Sequence, residues 1–495
     1  MKTFSSALVA QIIIIVPGVL GAGFDFDQVR SRAHALAAQP YQSASNSVPT
    51  ALGEMSYAQH NAIRFRREQA LWRGKLPFFI ELIHPGAAQR NLVSMHEIVD
   101  GQEIPVPFSA ALFDYGTNGP PAETARGFSG FRVFYAPENF GEAAAFAGAT
   151  YFRMIGSGQN YGSSARALAI NTATPVAEDF PVFTDFWLVR PSRSSRELTV
   201  FGLFDGTNAA GALRWVIQPG PSTVAKIDAV IFLRGPVERV GLAPLTSMFL
   251  HDQNNHIPFR DFRPEVHDCD ALLVHTAANE WWCRHLAGAK AVRVDSYHLN
   301  QPRGFGLLQR DRNFEHYQDF DAKFQLRPSV WIAPVGKWPE GALELIQFPS
   351  DIEFSDNVVA LWHPTKLPPP GQPLALSYTM EWTRREMAPK DLGRAIATRL
   401  GKVPKENGQP WNVRIVIDFG GEALGHLSAA NALAAEIHGS EGSKLVADTV
   451  VKNENNQTWR LVIEMTEPQK PVQLQARLLR RGAPITETWL FTYEP

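Results

Sequence analysis

The sequence has very little cysteine: Cys269 and Cys283 are the two among 495 residues. So few cysteines exclude a small disulfide-rich scaffold. Neither a CxxC nor an HxxxH spacing occurs, so the sequence offers no standard zinc motif. Two interpretations of the pair stay open. An oxidising compartment would permit a disulfide that closes a small loop, whereas Cα atoms too far apart to bridge would leave two thiols.

An excess of charge of one sign is also lacking. The 47 Lys and Arg residues nearly balance 49 Asp and Glu residues, which gives a net charge of −2. This balance excludes a large basic surface for nucleic acid and an acidic tail. The length predicts two or three domains. An apolar content of 45%, with 37 Gly and 36 Pro, is typical of a globular chain rich in turns.

Long apolar runs are confined to the N-terminus, where residues 1–23 are predicted to be a secretory signal peptide. Lys2 supplies a basic start, ALVAQIIIIVPGVLG an apolar core, and Gly21-Ala22-Gly23 the small residues of a cleavage site. A membrane anchor is the alternative, but the run is shorter than the ~20 residues of a spanning helix. Twin arginines and a lipobox cysteine are missing, so we expect Sec-type export of a protein that does not span a membrane.

Strand-like segments dominate from about residue 63 to 384. LTVFGLF (198–204) and ALRWVI (212–217), separated by a turn at Asp205-Gly206, are predicted to be antiparallel neighbours. Residues 223–235 and 374–383 have the same character. A short helix is predicted over 24–40, with Asp27 as its cap and Pro40 at its end. We therefore predict a large antiparallel β-sandwich over residues 24–384.

A smaller β pattern follows a charged, proline-containing segment. Residues 385–410 lack alternation and are predicted to be a linker. The remaining 411–495 are predicted to form an immunoglobulin-like β-sandwich. Its expected strands are 411–419, 444–452, 458–465, 472–480 and 487–494.

Chemically active side chains are densest from Arg263 to Arg284. These 22 residues include four acids, two histidines, both cysteines and two adjacent tryptophans. A second acidic cluster follows at 351–356. Hydrolysis of a glycosidic bond needs one acid to protonate the leaving oxygen and one carboxylate to activate water or attack the sugar. Aromatic faces beside such acids can pack against sugar rings. The two clusters therefore indicate opposite walls of a sugar-binding cleft.

Structural explanations for the same residues stay open. Asp356 could be a turn residue, and Asp268 could cap a backbone group or pair with Arg263. Arg327 is interpreted as structural, bracing the strand that follows Pro328. The spacing of the histidines fits no metal template, so no metal site is predicted. The tryptophans could stack on sugar or fill a core. The histidines are His251, His256, His267 and His275, and the tryptophans Trp281, Trp282, Trp331 and Trp362.

Several long strings resemble one family. Together with the stretch at 263–284, they indicate a member of the periplasmic glucan biosynthesis proteins, the MdoG/OpgG/OpgD family, along essentially the whole chain. The resemblance implies an all-β protein: a large N-terminal sandwich related to galactose mutarotase (a supersandwich), a short helical linker and a small immunoglobulin-like sandwich. The strings are GFSGFRVFYAPE (127–138), YFRMIGSGQNYGSSARALAINTA (151–173), APLTSMFLHDQNN (243–255), RGFGLLQRDRNF (303–314), LRPSVWIAPVGKW (326–338) and DNVVALWHP (356–364).

The resemblance also implies a function and its residues. Such proteins act in the periplasm in the biosynthesis of osmoregulated periplasmic glucans, and members hydrolyse β-1,2-glucan with inversion. The implied general acid is Asp356 of the DN motif, and the implied base is Asp268 of RPEVHD. Glu353 is expected to support the acid. Substrate binding is expected from Glu280, Trp281, Trp282 and Trp362, and no cofactor is expected.

The sequence departs from the family pattern beside the implied site. Ala277-Ala278-Asn279 stands where Gly-Asn-Gly is expected, and alanine would be strained wherever a positive φ is required. Cys269 and Cys283 stand where a serine and an aromatic residue are expected. These changes bear on substrate length and activity more than on the fold.

The sequence leaves three functions open. The protein could be a β-1,2-glucan hydrolase, a transglycosylase that branches or cyclises the same glucan, or a non-catalytic glucan-binding assembly factor. A glucan factor in the periplasm would meet a membrane glucosyltransferase as a partner. No nucleic-acid partner is expected.

Overall fold

A computed structural model of the protein describes residues 23–43, 48–116, 119, 127–254, 260–404 and 411–495. The predicted signal peptide lies outside the described residues, apart from Gly23. Strands make up most of the regular structure, and the prediction of an all-β fold is confirmed. Within the described ranges, no helix combines the length and the apolar character needed to cross a bilayer.

The helices are short. They are α1 Phe26–Ala37, α2 Thr50–Gly53, α3 Tyr57–Ala62, α4 Phe314–Tyr317 and α5 Glu422–Gly425. The strands are β1 Arg64–Phe65, β2 Phe78–Ile83, β3 Ser94–Val99, β4 Gln102–Val106, β5 Phe113–Asp114, β6 Gly130–Tyr135, β7 Gly141–Ala147, β8 Tyr151–Met154, β9 Ser164–Arg166, β10 Ala169–Ile170, β11 Val182–Val189, β12 Leu198–Asp205, β13 Ala209–Gln218, β14 Thr223–Leu233, β15 Val240–Ser247, β16 Phe249–His251, β17 Val266–His267, β18 Ala271–His275, β19 Trp281–His285, β20 Arg293–Leu299, β21 Gly304–Leu308, β22 Ser329–Val335, β23 Gly341–Gln347, β24 Val358–Pro364, β25 Pro373–Thr383, β26 Arg394–Val403, β27 Asn412–Gly420, β28 Ala434–Gly439, β29 Lys444–Asn453, β30 Thr458–Thr466, β31 Val472–Arg480, β32 Ala483–Pro484 and β33 Thr488–Tyr493.

Two large sheets form the N-terminal sandwich. One runs in the order β2-β6-β7-β8-β9-β15-β24-β23-β20, and the other includes β18-β21-β22-β25-β14-β13-β12-β11-β3-β4. The predicted pairing of β12 with β13 is confirmed, with Leu198 opposite Ile217. Aromatic rings from both sheets meet in the core, where the ring centroids of Phe146 and Trp215 are 5.2 Å apart. The sandwich thus buries one face of each sheet.

Helix α1 covers part of the outer face of the second sheet. Val29 and Ala33 are fully buried, and the helix contacts β12, β13 and β14. Its cap is Asp25 rather than the predicted Asp27. The Asp25 carboxylate accepts from the backbone of Asp27 and Gln28, and the Gln28 side chain completes a capping box. The cap precedes Asp27 because the helix already begins at Phe26.

The C-terminal β-sandwich packs β26-β27-β30-β29 against β31 and β33. The five predicted strands correspond to β27, β29, β30, β31 and β33, whereas β28 and the two-residue β32 were not predicted. The predicted linker at 385–410 is wrong over 394–403, which form β26 and pair with β27. Few apolar residues point inward from β26, and Arg399 and Lys402 point outward, so the sequence lacks a clear alternation. Residues 405–410 lie outside the described part.

The two sandwiches share one continuous sheet. Strand β33 pairs in parallel with β19, with Trp489 opposite Cys283, so the second large sheet extends into the C-terminal unit. A buried ion pair crosses the same junction, since Arg310 Nη1 lies 2.7 Å from Glu487 Oε1 and the Glu487 side chain has no exposed surface. Glu487 also accepts from the backbone of Ala395 at 2.8 Å. The β19–β33 strand pairing and the Arg310–Glu487 ion pair therefore both hold the two sandwiches in their relative position.

Replacement of Glu487 by alanine tests this junction. It leaves the buried Arg310 guanidinium without its carboxylate, so we expect a loss of about 3–5 kcal/mol in unfolding free energy. Urea denaturation measures it. The matched control is Glu422→Ala, because the Glu422–Lys390 pair is exposed and should contribute at most about 1 kcal/mol. Equal effects of the two substitutions would contradict a stabilising junction.

Candidate functional site

A polar row crosses the outer face of the first large sheet. The strand register places Glu81 opposite Arg132, Arg132 opposite Ala145, and Ala145 opposite Arg153. The neighbouring row, Ile80, Val133, Ala144 and Met154, is fully buried in the core. Side chains alternate between the faces of a strand. The polar row therefore points away from the core.

This row forms the floor of a cleft of about 900 Å³. The segment that contains α3 and β1 borders the cleft, and Asp356 lies on its wall. Both aromatic and charged side chains line the cleft, which is the composition expected of a site that packs against a polar ring and hydrogen-bonds it. The aromatic lining comes from Tyr57, Phe65, Phe113, Tyr151, Phe152 and Tyr161.

A half-buried carboxylate pairs with a tyrosine in the cleft. The Tyr161 hydroxyl donates to Glu142 at 2.9 Å, and Arg132 lies 3.7 Å from the same oxygen. Burial raises the pKa of Glu142 above its usual range, although the Arg132 charge opposes this. None of these residues was predicted from the sequence. The available signal was a charged residue inside an apolar strand, as in GFRVFY, which marks the outward face.

Asp356 is held in place by the residue that follows it. The Asn357 side chain is buried, accepts from the backbone of Phe249 at 2.9 Å and donates to the Phe249 carbonyl at 2.8 Å. Asp356 itself is exposed. The buried position in the DN motif belongs to the asparagine. Asp356 lies near Tyr151, whose pKa is raised chiefly by burial and in part by the Asp356 charge.

Asp268 is mostly buried and forms an ion pair with Arg327. The ion-pair interpretation is therefore correct for Asp268, but the partner is Arg327 and not Arg263. The guanidinium carbon of Arg327 lies 4.1 Å from the centroid of the Phe324 ring. Burial and the nearby Arg153 charge lower the pKa of Arg327 to about 10. Because Arg153 lies in the cleft, the Asp268–Arg327 pair is electrostatically linked to it.

A glycine allows Arg327 to approach the cleft wall. Gly162 follows Tyr161, and a Cβ atom at Gly162 would lie 2.9 Å from Cβ of Arg327. A larger residue would have to displace the arginine stem. The chain after the cleft tyrosine is thus packed directly against the partner of Asp268.

Glu353 directs its carboxylate to Arg263 at 2.6 Å. The same guanidinium contacts Asp261 at 2.8 Å and Asp319 at 3.0 Å, so one cation joins three loops. Hydrogen bonding from Arg263 lowers the pKa of Asp261 to about 2. Through this ion pair Glu353 restrains the loop that carries Asp356. Its effect on the protonation of Asp356 stays a prediction.

The predicted tryptophans do not gather at the cleft. Trp362 is fully buried and donates to the Pro339 carbonyl at 3.1 Å, so its assignment to substrate binding is corrected to a core role. Trp281 stacks on His275 with ring centroids 4.1 Å apart and on Trp331 at 5.7 Å.

The other two predicted binding residues lie beside Trp281. Trp282 Nε1 donates to Glu280 at 3.3 Å, and Glu280 lies 3.4 Å from Arg477 of the C-terminal sandwich. Among the described residues that line the cleft, none of Trp281, Trp282 and Glu280 is found. Their role in substrate binding stays a prediction.

The altered loop at 277–279 is not strained at its alanines. The left-handed residue is Asn279, with φ of 67°, a conformation that asparagine tolerates. The Asn279 side-chain oxygen lies 2.9 Å from both His275 Nε2 and Arg303 Nη1. The asparagine therefore takes the conformation for which glycine was expected.

The two cysteines are free thiols, so the disulfide alternative is wrong. Cys269 packs in the core between the large sheets, whereas Cys283 belongs to a separate cluster with Leu273 and Trp331. Arg310 donates to the Cys283 sulfur at 2.7 Å. Burial raises the pKa of both thiols.

The histidines that were considered as metal ligands, where the structure describes them, form hydrogen bonds within the protein. His267 bonds Glu265 at 2.9 Å and Gln309 at 2.8 Å, and His256 lies outside the described residues. A different trio, Glu265, Asp311 and His316, has ligand atoms within 4.8 Å of one another and could hold a cation. Asp311 and His316 are already hydrogen-bonded at 2.5 Å, which satisfies them without an ion.

Thiol labelling tests the cysteine assignment. We expect no reaction of the native protein with a thiol reagent, because both groups are buried with raised pKa values. After denaturation without reductant, two thiols per chain should react. Zero reactive thiols in the denatured protein would instead demonstrate a disulfide.

Replacement of Asn357 by alanine tests the anchor of Asp356. The Phe249 amide and carbonyl would lose their partners, so we expect a loss of about 2–4 kcal/mol in unfolding free energy. Urea denaturation measures the loss. Alanine at the exposed Asn455 is the control and should change stability by less than about 0.5 kcal/mol. An unchanged stability of the Asn357 variant would contradict the anchoring role.

Comparisons with known proteins agree with the sequence resemblance. Residues 24–493 match the family model described as Periplasmic glucan biosynthesis protein, MdoG. The chain is 37% identical to Glucans biosynthesis protein G of Ralstonia nicotianae, over 99% of both chains. It is 39% identical to Glucans biosynthesis protein D 1 of the same organism, over 95% of this chain and 92% of the relative. Glucans biosynthesis protein G of Pseudomonas aeruginosa is 37% identical, over 94% and 92%. The chain therefore belongs to the periplasmic glucan biosynthesis protein family, MdoG.

Proposed function

We propose that the protein acts in the periplasm in the biosynthesis of osmoregulated periplasmic glucans, as an inverting hydrolase of β-1,2-glucan. Family membership supports the role in glucan biosynthesis. The observation that carries the hydrolase proposal is the position of Asp356: an exposed carboxylic acid on the wall of a cleft rich in aromatic and charged groups.

Asp356 is assigned the role of general acid. It gives its proton to the glycosidic oxygen as the bond to the anomeric carbon breaks. The Asn357 hydrogen bonds fix the backbone beside it, so the carboxyl group reaches the cleft from a rigid position. The loop on its other side is held by Glu353 and Arg263.

Asp268 is assigned the role of general base. Its ion pair with Arg327 favours the ionised carboxylate, the form that a base requires. It takes a proton from the attacking water, directly or through intervening hydroxyl groups. Inverting carboxyl pairs are usually about 6.5–9.5 Å apart, which leaves room for that water, and a base that acts through a relay can lie farther away.

The cleft is assigned to substrate binding. Tyr151 and Tyr161 offer ring faces to sugar rings, while Glu142 and Arg132 can hydrogen-bond sugar hydroxyls. Tyr151, Glu142 and Arg132 stand on the paired strands β8, β7 and β6, which hold them in position, and the loop residue Tyr161 is fixed by its hydrogen bond to Glu142. A membrane glucosyltransferase is proposed as the source of the glucan.

The replacement Asp356→Asn tests the proposed chemistry. With linear β-1,2-glucan and chromatographic analysis of products, wild type should release shorter oligosaccharides, and the variant should be about 10²–10⁴-fold slower because the general acid is lost. Asp351→Asn, in the same acidic loop, is the control and should retain activity.

Other products would change the assignment. Cyclic or branched glucans would indicate a transglycosylase that uses the same acid. Unchanged glucan with retained binding would contradict the enzymatic role and favour an assembly factor.

A further inference from the structure

Four large apolar side chains are exposed on loops near the candidate acid. Phe262 is 76% exposed, Phe320 76%, Ile352 56% and Phe354 90%. Contact of such exposed phenylalanine rings with water is unfavourable, and a bound ligand would relieve it. A cluster of apolar side chains rimmed by polar groups is typical of a binding surface.

One guanidinium brings these side chains together. Arg263 follows Phe262, and its ion pairs reach Asp319, which precedes Phe320, and Glu353, which precedes Phe354. Neighbouring Cα atoms are about 3.8 Å apart, so each apolar residue lies close to the ion-pair cluster. The Phe314 ring packs against the Phe320 ring, with ring centroids 4.9 Å apart. The four residues are called the loop platform below.

The loop platform adjoins the proposed catalytic residues. Phe354 is two residues before Asp356, on the same loop between β23 and β24. Phe320 lies on the segment between α4 and β22, which also carries Arg327, the partner of Asp268. The platform thus shares its loops with Asp356 and with Arg327, the ion-pair partner of Asp268.

We infer that the loop platform binds glucose rings of a polymeric glucan that extends beyond the cleft. This inference rests on the proposed function and adds a second binding region for the same substrate class. Phenyl faces can pack on sugar rings, while the carboxylates of Asp261, Asp319 and Glu353 between them can accept from sugar hydroxyls.

A sugar chain fits the loop platform better than a protein partner does. A stable protein interface buries about 800 Å² on each partner with a contiguous apolar centre. Four side chains spaced around an ion-pair cluster offer less than that. Ring faces separated by charged groups suit a chain of separate rings.

The test compares dissociation constants for long linear β-1,2-glucan and for a short β-1,2-linked oligosaccharide. Phe354→Ala and Phe320→Ala should each weaken binding of the long glucan about five- to tenfold and change that of the short one by less than about twofold. Phe354→Tyr should retain binding of the long glucan because it keeps a ring. Trp411→Ala removes an exposed aromatic of the C-terminal sandwich and is the control, with no expected effect.

The outcomes separate this inference from the proposed function. Platform variants that bind and cleave both glucans like wild type would overturn the platform alone. Variants that lose self-association in sedimentation but not glucan binding would also overturn it, because the patch would then join copies of the chain. A wild-type protein that binds no β-1,2-glucan would overturn the platform and the proposed function together.

Discussion

The first large sheet has to satisfy two environments at once, and the geometry of the candidate site depends on that constraint. Strands β2, β6, β7 and β8 each give one face to the core and the other to the cleft, because side chains alternate along a strand. The register that buries Ile80, Val133 and Ala144 also brings Glu81 and Arg132 side by side on the opposite face. A slip of one residue would exchange these rows and destroy core and cleft together. Core packing thereby fixes the floor of the cleft.

Asp356 stands on the loop before β24 of this sheet, and Asp268 lies between β17 and β18, so both proposed catalytic groups are outside the strands and need other constraints. Buried polar contacts provide them: Asn357 fixes the backbone beside Asp356, Arg327 holds Asp268, and Arg263 joins three loops. Such contacts are directional and expensive to leave unsatisfied, so they specify position more sharply than apolar packing does. The proposed mechanism requires such rigidity, because two carboxyl groups from distant parts of the chain would have to act on one substrate.

Periodicity was sufficient for most of the fold. Segments such as 198–204 and 212–217 alternate clearly, and their pairing was predictable from the turn between them. Strand β26 was missed because its outward charges and a β-bulge between Ala395 and Ala397 obscure the pattern. The continuity of β19 with β33 was also missed, since pairing between strands about 200 residues apart leaves no local signal. The cap of α1 was misplaced by two residues, because both Asp25 and Asp27 suit that position.

The candidate site was less predictable than the fold. Asp268 and Asp356 came from motif resemblance, and residue type alone would have favoured structural roles for both. Trp362 was misassigned because burial of an aromatic residue cannot be read from its type. Glu142 and Tyr161 were missed because only the folded structure brings this strand residue and this loop residue together at the cleft. The two cysteines lie close in sequence, yet they pack in separate clusters.

Time-resolved NMR of the first products from linear β-1,2-glucan tests the central claim most directly. An inverting acid–base pair predicts that the new reducing ends appear first as the α-anomer and then mutarotate. Initial release of the β-anomer would demonstrate retention, and would contradict the assignment of Asp268 as a base that activates water opposite Asp356.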